Sequence, residues 1–324
     1  FFYIYIQHKF TFIMSKLINS RLSFIPYILL IFYVCTGLIT ALGAIDILGP
    51  QWVYFGSINI VTCTYFLFAK GDTALIVKDL LSTFYFWAYS LLMIWALGSY
   101  FYAINSVETL INFPRYFNVY IATIFSFILI SKIKNPLVFV SYLLSGFLFI
   151  ELMSYYNDYV QFFSNNDYFD PVRVKGVSGN KNITAASIAI KIPFILYLMN
   201  ISKSRIIKFL SFSILIVSYY ALSVIVARAA ILSSLICVFI YLLFVFYSFI
   251  IRERNYTSFL KKSSYVIIPY FFAFCINFFV NYTSKKTDLL VDTVAQIEFT
   301  EESSNGRFLY WSDALNQISD NPFL

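Results

Sequence analysis

The sequence predicts an all-α, polytopic membrane helix bundle with about nine transmembrane helices. Three observations predict it. Apolar residues make up 60% of the chain and charged residues only 12%. Long apolar runs recur from Arg21 to Asn281. Tyr and Trp gather at run ends (Trp52 and Tyr54, Trp95 and Tyr100, Tyr116 and Tyr120), as interfacial belts require. With lipid as the solvent, each backbone polar group must be satisfied within the protein, and a helix does so within one segment.

A span takes about 20 apolar residues to cross about 30 Å of hydrocarbon. Nine runs meet that length or approach it: 22–42, 51–69, 82–104, 115–131, 136–153, 183–200, 206–226, 229–250 and 263–281. Arg21 precedes the first, and Lys70 and Lys78 part the second from the third. Lys132 and Lys134 part the fourth from the fifth, and Lys203, Arg205 and Lys208 the sixth from the seventh. Only Arg228 interrupts the seventh and eighth. Arg252, Arg254, Lys261 and Lys262 precede the ninth.

The distribution of Lys and Arg orients this map. With residues 1–21 as a cytoplasmic segment, the inside loops carry 14 basic and 3 acidic residues, and the outside segments 8 basic and 12 acidic. The expectation is a transmembrane domain over 22–281 and an outside segment over 282–324. A second long outside segment is expected from Ser154 to Asn182. Arg307 to Ile318 places Phe308, Trp311, Leu315 and Ile318 at the spacing of an amphipathic helix, which Asn321-Pro322 ends. Such a helix lies on the membrane surface or lids a cavity between spans.

Composition also excludes functions. The net charge of +7 comes from short loops that topology explains, so no nucleic-acid partner is expected. The four cysteines stand singly inside apolar runs, without metal-ligand spacing. No Gly-rich nucleotide motif occurs, and neither a cofactor nor a metal is expected. The chain opens on Phe1, with Met14 as a plausible start, and stops soon after the amphipathic segment begins. We therefore expect a C-terminally truncated, inactive piece.

Several polar residues stand out. Gly176 to Asn182 leads into the sixth run from outside. Its two glycines permit close backbone approach, and amides at a helix start bind anions. Lys175 and Lys181 add positive charge; the alternative is a plain turn with Asn182 as N-cap. Lys191 falls near mid-membrane, where a charge must face the bundle interior, and Glu151 is its candidate partner. Arg228 lies between small residues, and a guanidinium fits phosphate oxygens in a bidentate way; the alternative is an interfacial Arg marking a turn. Arg307 opens the amphipathic segment, either as a ligand or as a surface charge beside Glu298, Glu301 and Glu302. Arg173 is a weaker candidate. The sole histidine, His8, lies on the expected cytoplasmic side, so no outer-face base is present.

Three blocks resemble the O-antigen ligase / O-antigen polymerase superfamily of bacterial membrane glycosyltransferases. Gly176 to Ala186 (GVSGNKNITAA) is similar to the family's G-x-x-x-NPN-x-x-A, with Lys181 where Pro is usual. Ala227-Arg228-Ala229 stands where the family has Ser-Arg-Gly. Arg307 to Leu324 resembles R-x-x-x-W-x-x-A-x-x-x-I-x-x-x-P-x-x-G-x-G up to its glycines. The resemblance covers 170–324.

It implies transfer of a glycan from a polyisoprenyl diphosphate lipid to a glycan or lipid A core acceptor, on the periplasmic face of the bacterial inner membrane. Arg228 and Arg307, helped by Arg173, Lys175, Asn180, Asn182 and Lys191, would then form the donor site. The family's loop histidine, the implied base, would lie beyond Leu324. The reading from another class is a transporter or lipid flippase with Lys191 and Glu151 on its pathway, although no internal repeat is visible. A non-catalytic scaffold is the third.

Overall fold

A computed structural model describes residues 24–39, 48–69, 72–103, 105–165, 176–225, 227–283 and 307–320. Residues 1–21, Arg173, Lys175 and most of the segment after Thr283 lie outside these. Among the described residues every regular element is helical, so the all-α bundle is the observed architecture. Among the described residues seven helices are long and apolar enough to cross a membrane, and an eighth counts if one bent pair is a single span. The chain forms two compact units, Phe1–Pro136 and Leu137–Leu324.

The first unit holds α1 (Ile25–Cys35), α2 (Leu48–Phe68), α3 (Asp72–Leu81), α4 (Phe84–Gly98) and α5 (Ser106–Ser131). Pro26 lies in the first turn of α1, where its missing N–H costs nothing. Asn105 caps α5, its side chain accepting from Glu108 N at 3.4 Å. The unit is joined inside by polar groups. Tyr33 of α1 donates to Asn59 Oδ1 at 2.7 Å, and Asn59 of α2 donates to the Asn118 carbonyl of α5 at 3.0 Å. Between α4 and α5, the hydroxyls of Ser90 and Tyr120 meet at 2.6 Å.

Two expectations need correction here. The first expected span, 22–42, is represented by a shorter apolar helical stretch, Ile25–Leu38. The second, 51–69, passes as a span only together with the following helix, which turns away by 117°. That helix, α3, occupies what charge alone marked as a loop: Asp72 and Lys78 lie at its two ends, and the apolar residues between them favour a helix.

The second unit holds α6 (Pro136–Asn165), α7 (Lys181–Ile201), α8 (Arg205–Ile225), α9 (Arg228–Ser248), α10 (Tyr256–Thr283) and α11 (Arg307–Asp320). The expected outside loop from Ser154 is instead helix as far as Asn165. Tyr155, Tyr156 and Tyr159 bury apolar rings in the core, so the helix continues past the strictly apolar run. The α7 helix is central: 56% of its span is buried, against at most 33% of any other. Leu148 and Leu152 of α6, Ile188, Ile192 and Ile195 of α7, and Leu215, Leu222 and Ile225 of α8 form one core with Val266 and Ala273 of α10.

Contacts fix the alternation of these helices. Asn200, at the end of α7, donates to the Tyr241 hydroxyl of α9, which donates to the Lys262 carbonyl near the start of α10. The second half of α6 lies against the middle of α8, where Tyr156 donates to the Val217 carbonyl at 3.2 Å. A small cavity of about 40 Å³ joins Leu222 and Ser223 of α8, Ile231 and Ser234 of α9, and Ala273 of α10. The starts of α7 and α9 therefore share one end of the unit with the ends of α6, α8 and α10.

Candidate functional site

That end carries the glycine turn. Gly176 and Gly179 adopt φ of 65° and 66°, a conformation costly to any residue with a Cβ. A Cβ on Gly176 would also meet Thr184 Oγ1 at 3.4 Å. Gly179 N donates to the Gly176 carbonyl, closing the turn. Asp158 of α6 accepts from Gly176 N at 3.1 Å, and Ser178 Oγ lies 2.6 Å from Thr184 Oγ1. The turn is thus tied to both helices it joins.

The N-cap of α7 is Asn180, not Asn182. Asn180 has extended backbone, and its Oδ1 accepts from Asn182 N at 2.9 Å. Asn182 sits inside the first turn with its side chain exposed. The cap falls earlier because Lys181 already has helical geometry, which moves the boundary residue back to Asn180. One first-turn amide, that of Asn182, is therefore occupied by the cap rather than open to an anion.

Lys191 lies midway along α7, about 15 Å from its start. It is buried, and its ammonium meets Glu151 Oε2 at 2.6 Å. Ser187, one helical turn before Lys191, receives a hydrogen bond from the ammonium and donates to Glu151 Oε1 at 2.7 Å. The Phe147 ring lies under the ammonium at 4.7 Å. Phe147, Glu151 and Tyr155 repeat every four residues along α6, and Thr184, Ser187 and Lys191 share one face of α7. Because α6 extends to Asn165, Glu151 lies midway along it, where it meets Lys191. The ring of three polar groups neutralises both charges and ties α6 to α7.

Arg228 is the first residue of α9, after Ala227 in extended conformation, so its backbone stands at the same end as the turn. Ala227 and Ala230 are buried, which sets the start of α9 close against the core. Arg307 is the first residue of α11, whose Leu309, Trp311, Leu315 and Ile318 are all exposed. Of the expected site residues, the structure places Asn180, Asn182 and the start of α9 at one end, and Lys191 deeper within the same unit.

Sequence reasoning missed Ser187 and Asp158. The spacing of four between Ser187 and Lys191 is a usable signal for the first. Asp158 carries none, because it was read as part of a loop. The stack of Tyr156 on Tyr220, with ring centroids 6.1 Å apart, was also unanticipated. Comparison of the chain with family models, curated proteins and solved structures finds no match.

Proposed function

We propose that this chain belongs to a membrane glycosyltransferase that moves a glycan from a polyisoprenyl diphosphate lipid to an acceptor on the periplasmic face of the bacterial inner membrane. The acceptor is lipid A core, a growing polysaccharide or another hydroxyl. The observation that carries the reading is the gathering of the glycine turn, the start of α7 and the start of α9 with Arg228 at one end of a single unit. Two helix starts there present positive dipole ends, which suit an anionic diphosphate.

In this reading Arg228 and Arg307 hold the diphosphate, with Arg173 and Lys175 beside them. The acceptor oxygen bonds to the anomeric carbon as the bond from that carbon to the diphosphate oxygen breaks. The diphosphate leaves with the electron pair, and the arginines stabilise its growing charge. The hydroxyl proton passes to a base, for which the family resemblance implies a histidine. Asn180 shapes the turn, and Lys191 with Glu151 holds α7 against α6 beneath it.

The test is complementation. Cells deleted for the gene receive the intact gene as wild type, Arg228→Ala or Arg307→Ala, and their surface glycan is resolved by gel banding. Wild-type banding from both variants would overturn the proposal.

A second reading, a transporter or lipid flippase, draws on the buried Lys191–Glu151 pair, since ionisable groups at membrane depth often mark pathways. It predicts that neutralising the pair abolishes movement of lipid-linked glycan while transfer in broken membranes continues.

A further inference from the structure

We propose that the second unit carries a binding site for one anionic phospholipid of the bilayer, at the end opposite the glycine turn. A slot of about 430 Å³ opens between α6 and α8. Its walls run from Tyr142 to Tyr156 on α6 and from Ile207 to Val217 on α8, and Leu198 of α7 contributes. The wall on α6 is about 21 Å long. That exceeds the roughly 15 Å of one leaflet, half of a 30 Å hydrocarbon layer.

Small residues make the slot. Ser145 and Gly146 on α6 face Ser211 and Ser213 on α8. A Cβ built on Gly146 meets nothing within 4 Å, so the space there is open. Phe149, Met153, Leu210 and Ile214 provide apolar wall. Toward the glycine turn the slot ends where Tyr156 donates to the Val217 carbonyl.

Charge selects the occupant. On α8 the slot begins at Ile207 in the first turn, and Lys203, Arg205 and Lys208 lie within four residues of it along the chain. Lys203 and Arg205 are exposed and Lys208 is half-buried. No carboxylate lies between Lys191 and the end of α8. An apolar slot with a cationic mouth fits a lipid whose acyl chain fills the slot and whose phosphate meets the basic residues. The mouth is at the opposite end from the donor site proposed above, so this lipid is not the glycan donor, and the site stands whether or not that reading holds.

The intact protein, delipidated in mild detergent, is titrated with phosphatidylglycerol or phosphatidylcholine of identical chains and read by native mass spectrometry. One phosphatidylglycerol should be retained at least about tenfold more strongly than phosphatidylcholine. The variant Lys203→Gln/Arg205→Gln/Lys208→Gln should lose that preference. Gly146→Leu, which fills the open space, should lose retention of both lipids while its lipid-free melting temperature stays that of wild type. Equal retention of the two lipids by wild type would overturn the proposal. So would stronger retention of a polyisoprenyl phosphate, or full retention by a folded Gly146→Leu protein.

Discussion

Glu151 and Lys191 close a 2.6 Å ion pair midway along two neighbouring helices, with Ser187 bridging them and both side chains about nine-tenths buried. Neither charge has water to turn to, so each depends on the other. Removing one partner leaves an uncompensated buried charge, a cost of about 3–5 kcal/mol. Glu151→Ala should therefore lower the melting temperature in detergent sharply. The double variant Glu151→Leu/Lys191→Met should recover most of the loss, because an apolar pair of similar volume carries no charge to desolvate. A double variant as unstable as the single one would show that the pair is not the source of the effect.

The cap of α7 makes a prediction that separates two adjacent asparagines. Asn180→Ala should cost about 1 kcal/mol, since its Oδ1 holds the Asn182 amide. Asn182→Ala should be close to neutral, since that side chain is exposed. Thermal melts of the two variants side by side decide between them.

Gly176 has a positive φ and packs against Thr184 at ordinary contact distance. Gly176→Ala should destabilise by about 1 kcal/mol or more, from the left-handed conformation alone. Because the turn is anchored to Asp158, hydrogen exchange at the start of α7 should rise in the same variant.

In the first unit, Asn59 takes a hydrogen bond from Tyr33 and gives one to Asn118. Asn59→Leu leaves both partners without it. The expected loss is about 1–2 kcal/mol, the range for polar contacts between membrane helices. An unchanged melting temperature would mean that Tyr33 and Asn118 find other partners.

If the proposed donor site is correct, Arg228→Ala and Arg307→Ala should each lower glycan transfer by at least about 100-fold at matched protein levels, the scale of losing one charge-stabilising donor. Arg228→Lys should restore only part of it, because a lysine cannot hold two phosphate oxygens in the guanidinium fork. Shortened banding in the variants points to a polymerase, and loss of attachment to core points to a ligase.

Legibility followed physical range. The spans could be read because about 20 apolar residues in a row have few uses other than crossing lipid. Lys191 could be singled out because a charge within such a run is costly wherever the helix sits. The helix over Arg307–Asp320 was visible as a period of apolar residues. The end of α6 was not legible, because tyrosines and Asp158 read as loop until a neighbouring core buries their rings.

The sequence alone therefore determined the helical class, the approximate spans and the residue that had to be neutralised. Only the tertiary structure decided that Glu151 lies at the same depth as Lys191, that Asn180 rather than Asn182 ends the turn, and that small residues on α6 and α8 face each other across an open slot. Those facts depend on the register between helices, which packing across the whole unit sets and no local pattern encodes.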